Sequence, residues 1–208
     1  MKKYFAQCAV VFLAVVIFSA CSSNPKVTRV ESDSVIDLSG RWNDVDVRMV
    51  SNTLISDCLN APRVSQFIQQ YSSSHTGMLP ACLVGSFKNE SSEHIDTSIL
   101  SKAMEIAIVN SGKMDFVAGG DTLTELRAER QDQQGNASEA TAAALGNETG
   151  AVLLLTGSVK SIVDRAGRDT VRSYFVSAEL TNIETRTRLW MGDNNEIKKT
   201  IRQSSYRP

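Results

Sequence analysis

Residues 150–163 read GAVLLLTGSVKSIV, and this stretch decides the fold. It starts as an apolar run and then alternates apolar and polar side chains, which is typical of a β-strand. The turn sequence DRAGRD follows, with Gly167 available for a positive φ. Residues 171–182 predict a second strand with four residues on one face: Tyr174, Val176, Ala178 and Leu180. After the turn sequence IETRT, a last strand begins at Leu189 and is interrupted at Gly192-Asp193, which completes a predicted antiparallel meander.

Helical spacing dominates the chain before this meander. The predicted elements are, in chain order, a helix from Asn43 to about Asn60, a helix opening at Pro62, an apolar strand over 81–87, a helix capped by Asp96 or Thr97 and ended by Gly112, a strand over 113–118, a helix capped by Asp121 and carrying Leu123 and Leu126, the polar stretch ERQDQQGN, and an alanine-rich helix from Ser138 to Gly150. Early strands joined by helical crossovers imply parallel pairing. We therefore expect one α/β domain, in which a mixed β-sheet of about five strands with a C-terminal antiparallel meander is flanked by α-helices.

The composition is that of an ordinary globular protein. The chain has 208 residues, of which 42% are apolar and 22% charged, and its formal net charge is −1. This balance argues against a nucleic-acid partner, which would require a basic face. Four basic residues do lie near the C-terminus, and we expect them to form a solvated strand end and tail: Lys198, Lys199, Arg202 and Arg207.

The N-terminus has the pattern of an export signal. Lys2 and Lys3 precede ten consecutive apolar residues, Ala9–Phe18, which is too short for a membrane-spanning helix and typical of a cleaved leader. The following Ser19-Ala20-Cys21 resembles the bacterial lipoprotein signal, in which the cysteine is lipidated and becomes the new N-terminus. The alternatives are an uncleaved anchor and an ordinary secretory signal. The absence of aspartate at residues 22–23 implies, by resemblance to known sorting signals, a location on the outer membrane and facing the periplasm.

These features divide the chain into four predicted segments. They are a signal peptide (1–20), a lipidated N-terminus with a short flexible tether (21–40), a globular domain (41–203) and a C-terminal tail (204–208). Two cysteines, Cys58 and Cys82, remain in the globular domain. An oxidising periplasm would permit a disulfide between them, and burial as separate thiols is the alternative.

Catalytic and metal-binding patterns are missing from the sequence. No nucleophile elbow and no phosphate-binding loop is present, and the two histidines, His75 and His94, are not at metal-ligand spacing. We therefore predict no catalytic residue, no metal, no cofactor and no small-molecule substrate. The segments SFKNESSEHID and ERQDQQGNAS are polar without an evident role in the core, and polar loops on a rigid scaffold are common recognition sites. The residues predicted to bind a partner are Asn89, Glu90, His94, Arg130, Gln134 and Asn136.

The segments VGSFKNESSEHID, SGKMDFVAGGDTLTELRAERQDQQGNAS, LGNETGAVLLLTGSVKSIVD and VSAELTNIETRTRLWMG resemble the LpoB family. Its members are outer-membrane lipoproteins that activate class A penicillin-binding proteins, the peptidoglycan synthases. The resemblance implies a fold like the N-terminal domain of TolB, with a non-catalytic role in cell-wall synthesis. The chain departs from enterobacterial members, which have a long proline-rich linker, because its tether is short and contains one proline, Pro25. The alternatives are an accessory lipoprotein of a secretion or surface-organelle machine, which a looser resemblance to CsgG suggests, and a hydrolase that uses His94.

Overall fold

The computed structural model describes residues 28–31, 34–137 and 148–203. The described residues from Val35 onward belong to one compact unit. Cys21, the signal peptide and most of the predicted alanine-rich helix lie outside the described residues.

Six strands of the described chain form one mixed sheet. They are β1 (Ala81–Asn89), β2 (Asp115–Phe116), β3 (Leu153–Ala166), β4 (Asp169–Asn182), β5 (Arg188–Asn194) and β6 (Lys198–Arg202). The strand order is β2-β1-β3-β4-β5, and β6 pairs with the same edge of β4 as β5 does. β1 is parallel to β2 and β3, whereas β3, β4, β5 and β6 pair antiparallel. The predicted α/β fold with a mixed sheet is confirmed, with six strands in place of about five.

Four helices occur in the described residues. They are α1 (Asp44–Asn60), α2 (Pro62–Ser74), α3 (Ser98–Ser111) and α4 (Gly120–Asn136). α1 begins with a capping box, in which Asn43 and Asp46 each accept a hydrogen bond from the other's backbone N–H. α3 ends at Gly112, whose φ of +61° is left-handed as the sequence predicts.

The core lies between one face of the sheet and α1 with α3. Six inward positions of α1 are buried at the predicted helical spacing: Val47, Val50, Leu54, Ile55, Cys58 and Leu59. The predicted inward face of β4 is also buried, namely Tyr174, Val176, Ala178 and Leu180. On the opposite face of the sheet Phe175 and Met191 are exposed, and no described helix packs there.

The last strand is interrupted later than predicted. β5 continues through Gly192-Asp193 to Asn194, and the break lies at residues 195–197, where the backbone of Tyr174 donates a hydrogen bond to the carbonyl of Ile197. Gly192 lies inside the strand, and a Cβ at this position would lie 2.3 Å from a ring carbon of Trp190. Glycine at this position therefore provides space for a buried aromatic ring and does not end the strand.

Two other expectations are wrong. The stretch ERQDQQGN belongs to α4, where pairs such as Gln133 with Glu129 and Asn136 with Asp132 connect successive turns at 2.9 and 2.8 Å. Lys199 is not part of a solvated strand end, because its side chain is only 10% exposed and its Nζ lies 2.6 Å from carboxylate oxygens of both Asp37 and Asp46.

Candidate functional site

The polar loop between β1 and α3, residues 90–97, is fastened to the sheet by Glu93. Its side chain is only 9% exposed and forms an ion pair with Arg172 of β4. Its Oε2 accepts hydrogen bonds from the Tyr174 hydroxyl at 2.9 Å and from the Trp42 backbone N–H at 3.3 Å. Three separate segments therefore meet on one carboxylate, and the loop has a defined position.

Tyr174 is the neutral partner in this cluster. Burial and the hydrogen bond to Glu93 raise the pKa of its hydroxyl to about 12. The hydroxyl therefore stays protonated and donates its hydrogen bond at neutral pH. The ring of Trp42 packs edge-on against Tyr174 with the two centroids 5.3 Å apart, which closes this end of the core.

Two of the predicted binding residues organise the loop or a neighbouring surface. Asn89 donates to the carbonyl of Glu93 at 2.8 Å and accepts from the Ser91 hydroxyl at 2.7 Å, so its side chain shapes the start of the loop. Glu90 forms an exposed ion pair with Lys160 at 3.2 Å, on the sheet face opposite the helices. Neither residue lines the same surface as His94.

α3 is attached to β1 at an irregularity in the strand, where the pairing with β3 shifts register between Val84 and Phe87. The Ser101 hydroxyl donates to the carbonyl of Gly85 at 3.2 Å and accepts from the Phe87 N–H at 3.4 Å. The Thr97 hydroxyl donates to the Phe87 carbonyl at 2.5 Å. These bonds satisfy backbone groups that the irregularity leaves outside the ladder, and they fix the first turn of α3.

An open cleft of about 910 Å³ lies beside this attachment, at the carboxyl ends of the parallel strands β1 and β2. The loop residues His94–Thr97, the first turn of α3 and the residues Gly119–Thr122 at the start of α4 line it. Polar groups dominate the lining. Asp96 accepts hydrogen bonds from the backbone and hydroxyl of Ser98, which hold the pKa of its carboxyl below the usual value.

The cleft has the properties of a binding surface. His94 makes no hydrogen bond within the described residues. It lies close enough to Asp96 to interact electrostatically with that carboxylate. In the same part of the chain no group of three acidic, histidine or cysteine side chains is placed to hold a metal ion. The cleft is lined by hydrogen-bonding and charged groups such as His94, Asp96 and Lys102.

The other predicted binding residues lie on α4. None of the 17 residues of this helix is buried, and it packs against no other helix or strand of the described chain. Its attachment is an ion-pair cluster in which Glu148 bonds Arg127 at 2.9 Å and Arg130 at 3.3 Å. The side-chain amide of Asn136 donates a hydrogen bond to the carboxylate of Asp132, and Gln134 lies on the same exposed helix. These positions are about 12–20 Å along the helix axis from the cleft, so the cleft itself brings only His94 together with the start of α4.

The two core cysteines are free, buried thiols in the structure. Burial raises the pKa of both Cys58 and Cys82 to about 12. Since these pKa values lie above the ordinary value of 9.0, the protonated thiols favour the folded state below pH 9, and this contribution is lost as the pH rises toward 12.

We expect neither core thiol to react at pH 8 in the folded protein. A chain that begins at Ser22 contains only Cys58 and Cys82, so labelling with a thiol reagent should be negligible before unfolding and should reach two thiols after unfolding in guanidinium. The measurement is absorbance of the released label without reductant. If no thiol appears after unfolding, the two cysteines are joined in a disulfide and the free-thiol description is wrong.

The described residues contain no helix that is both long and apolar enough to span a bilayer. Cys21 lies outside them, so lipidation stays a prediction. Sequence reasoning missed the cluster at Glu93, although EHID is the tightest acid-base group in the chain. Its partners lie on β4 and before α1, and only the folded chain brings them together.

One family model matches most of the chain. The family model described as "Peptidoglycan-synthase activator LpoB" matches residues 46–196. The chain is similar in structure to the LpoB C-terminal domain from Escherichia coli, with 17% identity over 76% of this chain and 99% of that chain and a TM-score of 0.44. The same domain from Salmonella enterica gives 17% identity over 76% and 99% and a TM-score of 0.41. Lipoprotein GNA1162 from Neisseria meningitidis gives 18% identity over 61% and 88% and a TM-score of 0.36. No curated protein matches the chain.

Proposed function

The chain belongs to the LpoB family of peptidoglycan-synthase activators, and from this premise we propose that it is a non-catalytic lipoprotein that binds a class A penicillin-binding protein and raises its activity. The family match over residues 46–196 carries this proposal, because it extends from α1 to the end of β5. The absence of catalytic patterns in the sequence supports a role in binding and regulation.

We propose that Cys21 anchors the protein to the outer membrane. Two or three acyl chains on one residue hold a protein on a bilayer, whereas one chain does not. About 14 residues separate Cys21 from Val35, where the compact unit begins. This tether reaches at most about 50 Å when extended and about 20 Å as a random coil. The partner synthase would therefore need a domain that extends toward the outer membrane.

We propose that α4 and the cleft form the surface that contacts the synthase. A helix without a buried residue gains little stability from packing, and its exposed polar side chains can contact a partner. Exposed ion pairs of Glu148 with Arg127 and Arg130 connect this helix to the segment that precedes β3. The ordered loop around His94 extends the same surface at the start of α4.

Replacing Gln134 and Asn136 together with alanine should weaken binding to the organism's class A synthase about tenfold, which corresponds to about 1.4 kcal/mol. The expected cause is loss of polar contacts on the exposed helix, with no change in folding. The measurement is binding of the chain from Ser22 onward to the purified synthase, together with the rate of glycan-strand synthesis.

The matched control replaces Gln69 and Gln70, which are exposed on α2, and this variant should bind like the unmodified protein. An unmodified chain that neither binds nor stimulates the synthase would remove the proposed function. If both double variants bind equally well, the function stands and the assignment of α4 is wrong.

A further inference from the structure

The hairpin of β3 and β4 extends beyond the core, and its helix-facing side changes there from apolar to basic. Residues paired across the strands form successive rows on this face. Tyr174 belongs to the last core row, next come Val163, Arg172 and Lys199, and then Arg165, Thr170 and Ile201. Thus a sheet face that starts as core ends in positively charged side chains.

Residues 39–41 cross over this end of the sheet. Gly40 has a φ of +63°, and a Cβ there would lie 2.3 Å from a side-chain carbon of Ile201, so the chain passes directly over β6. The carbonyl of Arg41 accepts a hydrogen bond from Lys199 Nζ at 3.0 Å, which fixes the crossing. This crossing brings Arg41 to the arginines of the hairpin.

A pocket of about 570 Å³ lies between the crossing and the hairpin, and we call it the arginine pocket. Its lining includes four arginines and two hydroxyl-bearing residues but no Asp or Glu: Arg41, Arg165, Arg168, Arg172, Ser39 and Thr170. The turn places Arg168 beside Gly167, whose φ is +60°. The backbone carbonyl of Arg168 accepts a hydrogen bond from the Gln203 N–H at 3.0 Å, so the turn is held against the end of β6.

None of the described acidic groups near the pocket pairs with Arg41, Arg165 or Arg168. Glu93 is bonded to Arg172, and Asp37 and Asp46 are bonded to Lys199. Asp169 forms an ion pair with Arg202 at 3.1 Å. Asp164 lies opposite Val171 in the strand register, and its side chain is on the other face of the sheet.

Three of the four pocket arginines therefore carry positive charge without an acidic partner, whereas Arg172 is paired with Glu93. The side chains of Arg41, Arg165 and Arg168 make no hydrogen bond or ion pair within the described residues. Nε of Arg172 is buried and also has no hydrogen-bond partner there. Guanidinium groups bind the oxygens of phosphate and carboxylate in a fixed forked geometry, so several of them around one pocket suit an oxyanion.

We propose that the arginine pocket binds the phosphate of an anionic lipid headgroup in the membrane to which the chain is anchored. The choice of lipid phosphate rests on the proposed membrane anchor. Residues 39–41 lie where the predicted tether ends and the globular domain begins. Because Ser39 and Arg41 line the pocket, it lies at the point where the chain enters the domain from its proposed lipid anchor. The short tether keeps this pocket close to the bilayer surface, where phosphate is abundant.

The test measures binding of the unlipidated chain, Ser22 to Pro208, to vesicles of phosphatidylglycerol and phosphatidylcholine in equal parts. This chain retains the whole compact unit. Replacing Arg165 and Arg168 with glutamine should weaken binding about 30-fold, since each basic residue near an anionic surface contributes about fivefold. The matched control, Arg63→Gln with Arg186→Gln, removes two exposed positive charges elsewhere and should change binding less than about threefold.

Several results would overturn the proposal. They are absence of binding to the anionic vesicles, equal losses in the two double variants, and equal binding to pure phosphatidylcholine. Binding of inorganic phosphate without vesicle binding would assign the pocket to free phosphate. Retention on isolated peptidoglycan through the same arginines, without vesicle binding, would assign it to peptidoglycan carboxylates.

Synthase stimulation in detergent, without vesicles, separates this proposal from the proposed function. The Arg165→Gln/Arg168→Gln variant should stimulate normally there. If the unmodified chain binds anionic vesicles but does not stimulate the synthase, the proposed activator function fails and the lipid site stands.

Discussion

Replacing Glu93 with alanine should lower the free energy of unfolding by about 3–5 kcal/mol, because it leaves a charged guanidinium without its partner in a largely buried position. The Arg172 side chain is 13% exposed and Glu93 is 9% exposed. The Tyr174 hydroxyl and the Trp42 N–H also lose their acceptor. Urea unfolding followed by circular dichroism measures the change.

The exposed pair of Glu90 and Lys160 provides the matched control. Glu90 lies on the same loop, its side chain is 46% exposed, and its ion pair is 3.2 Å long. Glu90→Ala should therefore cost less than about 1 kcal/mol. Adding Arg172→Met to Glu93→Ala should recover part of the stability, since it removes the unpaired buried charge. Equal losses for Glu93→Ala and Glu90→Ala would show that the cluster does not hold the loop.

Replacing Gly157 with alanine should destabilise the fold by about 3 kcal/mol or more, because the backbone of a neighbouring strand and an aromatic ring occupy the space of its side chain. A Cβ at this position would lie 2.2 Å from Cε1 of Phe87 and 2.4 Å from the backbone oxygen of Ser177. Phe87 is buried in the core, and the Ser177 oxygen belongs to the backbone of the neighbouring strand β4. Thermal and urea unfolding measure the effect.

The same substitution at Gly135 gives the opposite expectation. No atom lies within 4 Å of a Cβ at Gly135, which is in the exposed helix α4. Gly135→Ala should therefore raise helix stability by about 0.5–1 kcal/mol, since alanine loses less backbone entropy than glycine. A Gly157→Ala variant as stable as the unmodified protein would mean that Phe87 does not pack over β3.

Hydrophobic periodicity alone predicted the helices and strands that bury one face against the core. The spacing in α1 and the alternation in β4 identified buried residues such as Leu54 and Tyr174, because a helix or strand that buries one face must repeat its apolar residues at a fixed interval. The turn at Gly167 and the end of α3 at Gly112 followed from the need for a left-handed backbone.

Exposed elements were harder to predict. α4 has no apolar repeat, so the sequence marked only its start and left its second half as a polar stretch. Its polar side chains are compatible with helix or loop, and pairs one turn apart, such as Asn136 with Asp132, favour the helix. Of the predicted binding residues, the structure places Asn89 in the framework of the loop and Arg130 in an ion pair with Glu148.

The sequence by itself determined the α/β class and the buried faces of elements such as α1 and β4, because these depend on residues that are near one another in the chain. Only the tertiary structure decided that Glu93 meets Arg172, that Lys199 is buried between two carboxylates, and that four arginines share one pocket. These contacts join segments separated by as many as 162 positions in the sequence. No local pattern encodes such pairs, since their partners are selected by strand register and by the path of the chain across the sheet.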